Sequence, residues 1–122
     1  MSEDRKLVIV ITRGLDDERS SVAWSIANGG IKSGLEVHVF LTSSAVDWVR
    51  KGAADNAHLN PEDPPMKEMI DFFMENGSAV YVCPPCAKVR GYSESDLIEG
   101  VTIIGSGAIH EQIKLGAATL TF

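Results

Sequence analysis

Lys6 to Thr12, KLVIVIT, has no polar face. A strand that alternates apolar and polar residues can leave one side in water, but a continuous β-branched run must be covered on both sides. That requirement favours a sheet with helices on both faces. The remaining segments agree. ERSSVAWSIANGGIKSG reads as a helix with Val22, Ala23, Ile26, Ala27 and Gly30 on one face and Gly34 as its stop. LEVHVFLT, Leu35 to Thr42, is a second strand, and SSAVDWVRKG a short helix capped by Ser43 or Ser44 and ended by Gly52. AADNAHLNPEDPP is a polar, proline-rich loop of a length that signals function or mobility. Pro65 opens a helix in which Met66, Met69, Ile70, Phe73 and Met74 follow the 3.6-residue period as core packing.

SAVYV is a third strand, SESDLIEG a short helix capped by Ser93 or Ser95, VTIIG a fourth strand, SGAIHEQIKLG a helix and AATLTF a last strand. Strands alternating with helices across short turns predict an α/β fold with a mostly parallel sheet. With 122 residues and no linker, repeat or low-complexity stretch, residues 1–122 form one domain.

Charge and hydropathy remove several classes of partner. The net charge is −6 and the 11 basic residues form no cluster, so no nucleic-acid face is expected. No apolar run reaches the roughly 20 residues that span a bilayer, so no membrane partner is expected. The charged start MSEDRK is unlike a signal peptide, which makes the cytoplasm the expected compartment. There thiols stay reduced, and a cysteine pair is reactive or metal-bound more often than disulfide-bonded.

The chain's only two cysteines sit in YVCPPCAKVRG, three apart, at the end of the third strand. Ligands and reactive groups of open α/β sheets gather at such strand ends. Pro84 holds Cys83 in an extended conformation, and either proline can open a short helix beginning near Ala87. A helix N-terminus, with Lys88 and Arg90 close by, lowers a thiol's pKa, so Cys83 is the expected nucleophile. His110 is a candidate proton acceptor if its helix starts beside the cysteine turn. Against this, Cys often packs as a small hydrophobe, and a Cys83 pKa of about 8.5 or more would favour a structural role.

Three chemistries use such a pair: disulfide exchange, zinc binding and sulfur carriage as a persulfide. No Trp precedes the pair, which lies past mid-chain and so departs from the thioredoxin arrangement. Zinc needs four ligands, and His38, in a strand, and His58, in a loop, are scattered from the cysteines. Neither TRGLDD after the first strand nor Gly105 and Gly107 in IIGSGAIHE is a dinucleotide fingerprint, so NAD and FAD are disfavoured and no cofactor is expected. Trp24 and Trp48 read as core or subunit-contact residues.

VCPPCAKVRGY, followed by GVTIIGSGAIHEQIKLGAATLTF, resembles the DsrE/DsrF/TusD family of small sulfur-relay proteins. The likeness also takes in the VIVIT strand and the long first helix, and so nearly the whole chain. It implies a three-layer α/β/α fold on a parallel five-stranded sheet and assembly as homo-trimers or homo-hexamers. It implies too that the cysteine matching Cys83, seven residues before Arg90-Gly91, carries sulfur between donor and acceptor proteins. Cys86 has no counterpart in the simplest form of the motif. It could resolve a persulfide, or the pair could do dithiol redox work. The family also contains members without cysteine, so a structural or regulatory subunit is the alternative from a different class.

Overall fold

The computed structural model describes residues 5–122. Five strands form one sheet: β1 (Lys6–Ile11), β2 (Glu36–Leu41), β3 (Ala79–Val82), β4 (Val101–Ile103) and β5 (Ala118–Thr121). Their spatial order is β4-β3-β2-β1-β5, and every pairing is parallel. The helices are α1 (Arg19–Lys32), α2 (Met66–Asn76), α3 (Pro84–Val89) and α4 (Gly107–Lys114). The first three crossovers each step one strand in the same direction, whereas the link through α4 returns across the sheet to the far side of β1. Right-handed crossovers therefore put α1, α2 and α3 on one face and α4 alone on the other.

The α1/α2 face holds the main core: Leu7, Ile9 and Ile11 of β1, Val37, Val39 and Leu41 of β2, and Val80 and Val82 of β3, packed against Trp24, Met66, Met69, Ile70 and Phe73. Trp24 meets Phe73 edge to face with centroids 5.8 Å apart. This contact sets the rotation of α1 and corrects the expected face. Ala23, Trp24, Ala27, Asn28 and Gly30 are buried, while Val22 and Ile26 are 38% and 37% exposed. Gly30 permits the close approach, because a Cβ there would lie 3.0 Å from Val37 Cγ2. Trp48 belongs to the same core and is 1% exposed. It therefore cannot anchor a subunit contact, and its indole N–H donates to the Arg13 carbonyl at 3.2 Å.

The opposite face is thinner. Val8, Phe40 and Ile109 form its small core, with Val10, Tyr81, Cys83 and Ala117 against it. Polar side chains fill the rest. Glu36 accepts from Lys6 Nζ at 2.7 Å and lies 2.7 Å from His38 Nε2, and His38 Nδ1 is 3.1 Å from the Tyr81 hydroxyl. Bonds from His38 and then from Lys6 hold the Glu36 carboxyl below its ordinary range.

Several boundaries differ from the sequence reading. SSAVDWV is a 3-10 helix, Ser43–Val49, whose N-cap is Thr42 rather than a serine. SESDLIEG contains only one 3-10 turn, Glu94–Asp96, closed by a capping box between Ser93 and Asp96. The long loop is tied down, since Ser21 Oγ donates to Asp63 Oδ2 at 2.6 Å. Helix α3 begins at Pro84, not near Ala87.

Candidate functional site

That last shift decides the site's chemistry. With α3 starting at Pro84, Cys83 is its N-cap and Cys86 its third residue. One turn brings the side chains together, with the two Sγ atoms 2.8 Å apart and both cysteines free and half-buried. Cys83 packs with the thin-face cluster and Cys86 with the main core. The dithiol thus sits where the two layers meet, at the C-terminal ends of the strands.

An N-cap side chain ordinarily accepts from the N–H groups of the second and third helical residues. Here the first two helical residues are Pro84 and Pro85, which have no N–H, leaving Cys83 only the N–H of Cys86. Burial, followed by the neighbouring Cys86 thiol, pushes the Cys83 pKa up, against the bonds from Cys86 N–H and Thr42 that lower it. The sequence places the stabilised thiolate at Cys83, whereas the fixed donors of the folded chain gather at Cys86.

Cys86 receives the donors instead. Ser43 N–H points at its Sγ from 3.1 Å, and Thr42 Oγ1 lies 3.4 Å away. Burial acts to raise the Cys86 pKa, but hydrogen bonds from Cys83, Thr42 and Ser43 and the charge of Arg90 outweigh it, so the net shift is downward. Arg90 is fixed for this role: its Nη1 donates to the Cys86 carbonyl at 3.1 Å and its Nε lies 3.6 Å from Asp47.

The other residues singled out in the sequence are more remote. Lys88 is exposed on α3 and His110 is exposed on α4, and neither hydrogen-bonds to either thiol. Gly105 and Gly107 lie before and at the start of α4 with open space where a Cβ would stand. Among the described residues no three His, Cys, Asp or Glu side chains are grouped to hold a metal ion. No described helix is long and apolar enough to cross a membrane. Thr42 was not singled out in the sequence, and Ser43 only as a candidate helix cap. Their one signal is a cluster of small hydroxyl residues, TSS, following a buried strand.

The family model for the DsrE/DsrF-like family matches residues 5–122. The chain belongs to the DsrE/DsrF-like family. Among its relatives, it is 34% identical over 119 residues to the uncharacterized protein MJ0989 of Methanocaldococcus jannaschii, covering 96% of this chain and 99% of that one. It is also 34% identical over 97 residues to the uncharacterized protein MK0008 of Methanopyrus kandleri, covering 79% and 75%. Two solved structures share the DsrE-like fold. The ychN protein from E. coli superimposes with a TM-score of 0.75 at 24% identity, over 98% of this chain and all of that one. MTH1491 from Methanobacterium thermoautotrophicum does so with 0.76 at 20% identity, again over 98% and 100%.

Proposed function

We propose that this DsrE/DsrF-like protein is a cytoplasmic sulfur carrier that holds sulfane sulfur as a persulfide on the Cys83/Cys86 pair and passes it to a partner protein. The observation that carries the reading is the pair itself: two half-buried free sulfurs in contact at the strand ends, one of them provided with anion-stabilising donors. Cys83 occupies the position that the family resemblance assigns to the sulfur-bearing cysteine. Burial pushes its thiol up, which would suit a structural role if it stood alone, but the donors at the adjacent Cys86 support a reactive pair. Intact-mass measurement after incubation with a persulfide donor tests the reading. The wild type gains one reducible sulfur atom, and the Cys83→Ser/Cys86→Ser double variant gains none. Equal gain by both proteins would end the carrier reading.

The 2.8 Å separation also favours a second reading, dithiol redox exchange. A Cys83–Cys86 disulfide that forms and persists at cytosolic thiol poise would select it.

We further propose a homo-trimer or homo-hexamer. Support comes from α4 and the turn after it, where Ile113 and Leu115 are 41% and 67% exposed, and from the outer strand β5, where Leu120, in register with Ile9, is 42% exposed. Light scattering at micromolar concentration checks this, and a mass of one chain would count against it.

A further inference from the structure

We propose that sulfur enters at Cys86 rather than Cys83, and that Thr42 and the Ser43 N–H are the positioning groups that make Cys86 the entry thiol. This assignment rests on the carrier reading and gives the two cysteines an order of use.

The donors around Cys86 Sγ come from a different part of the chain. Ser43 lies 43 residues upstream, at the end of β2, and donates its N–H at 3.1 Å. It is the one described non-glycine residue in the left-handed region, with φ 55. Such a conformation is strained for a residue with a Cβ and persists where the surroundings hold it. The extended Thr42 before it, with φ −133 and ψ 164, aims the Ser43 N–H at the sulfur, and the left-handed turn at Ser43 then carries the chain away from β2. Thr42 adds its hydroxyl at 3.4 Å. Cys83, by contrast, caps a helix whose first two residues supply no N–H.

With both thiols protonated, Cys86 Sγ donates to Cys83 Sγ; when the sulfur that the fixed donors can solvate ionises, Cys83 keeps its proton and turns it toward the Cys86 thiolate. The Cys86 thiolate then attacks the terminal sulfur of a persulfide donor, R–S–SH. A bond forms between Cys86 Sγ and that sulfur, and the R–S to sulfur bond breaks. The electron pair leaves on R–S⁻, which takes up the proton that Cys86 released. The balance is Cys86–SH plus R–S–SH giving Cys86–S–SH plus R–SH, with no outside oxidant. Cys83 can next attack the outer sulfur, displacing the Cys86 thiolate and losing its own proton to it. Cys86 is the better leaving group of the pair because its anion keeps the same donors. Sulfur thereby reaches Cys83, the strand-end position, by a second exchange that is likewise balanced.

The experiment measures iodoacetamide labelling of each cysteine against pH, with the modified residue identified by peptide mass spectrometry, alongside the rate of sulfur gain from a low-molecular-weight persulfide. In the wild type at pH 6.5, Cys86 is labelled about tenfold faster than Cys83, because the fixed donors favour its thiolate. Thr42→Val moves the Cys86 labelling profile to higher pH. Ser43→Gly, which keeps the N–H and accepts the left-handed φ, leaves the profile within about twofold of wild type. Cys86→Ser gains sulfur about tenfold more slowly than Cys83→Ser, which keeps the entry thiol. Faster labelling of Cys83, an unchanged Thr42→Val profile, or full-rate loading of Cys86→Ser would each overturn the assignment. Failure of the wild type to gain sulfur would end the carrier reading instead, and the labelling profiles would still judge which thiol is activated.

Discussion

The two faces of the sheet are built on different principles. The α1/α2 face is a packed hydrocarbon layer with Trp24 against Phe73 at its centre. The α4 face has three buried apolar residues and a hydrogen-bonded chain running from Lys6 through Glu36 and His38 to Tyr81. One face derives its stability from buried area, which is insensitive to pH. The other depends in part on a protonation state and leaves apolar side chains at its margin. The dithiol lies between them, with Cys86 rooted in the first layer and Cys83 in the second.

The largest expected effect is on the packed face. Trp24→Ala should destabilise by about 3–5 kcal/mol, read as a fall in the urea midpoint, because neighbours on both α2 and the sheet prevent the cavity from collapsing. Ile109→Ala on the thin face should cost about 2 kcal/mol, the low end for such a truncation, since few buried neighbours surround it. Equal losses from the two variants would break the comparison.

Acid should act through the thin face. The folded-state pKa of Glu36 is depressed, so its contribution is complete above the ordinary value of 4.5 and is lost as pH falls through the folded value. Stability measured by urea titration between pH 6 and 3, roughly the range in which carboxylates protonate, should fall less steeply for Glu36→Gln than for wild type. An equal or steeper fall would show that the Glu36 carboxylate does not stabilise the fold above its pKa. The smallest effect on the fold belongs to Ile113→Ser, within about 0.5 kcal/mol by thermal melting of the isolated chain. The same variant sharpens the question of assembly: if copies of the chain cover this margin, light scattering should show a lower mass.

Much of this was legible in the sequence. KLVIVIT required cover on two sides, and the strand–helix alternation then led to a parallel sheet. The thinner face was not read from the sequence, although Glu36 and His38 alternating with Val37 and Val39 within LEVHVFLT carry its signal. What sequence order could not convey was rotation and long-range approach. Helix α1 turned to bury Trp24 in place of Val22 and Ile26, a choice made by Phe73 on another helix. The site failed to read through for a related reason. A helix N-terminus beside Cys83 was a sound local expectation, but it overlooked that CPPC removes two of the donors it invokes. The replacement donor, Ser43 N–H, comes from the neighbouring strand end. C-x-x-C therefore fixes where the two sulfurs meet, and the neighbouring strand end supplies the N–H that reaches Cys86.

The strands differ in length in a way that bears on solubility. β1 and β2 have six residues each, whereas the outermost strands, β4 and β5, have three and four. An outer strand presents a row of unpaired backbone groups on which another chain can dock as an added strand. Three or four residues offer only one or two such bonds on each side, too few to hold a stray strand in register. The chain keeps its long, sticky, β-branched segments in the interior of the sheet and closes each margin with a stub, so ribbon-like growth from molecule to molecule has nowhere to start.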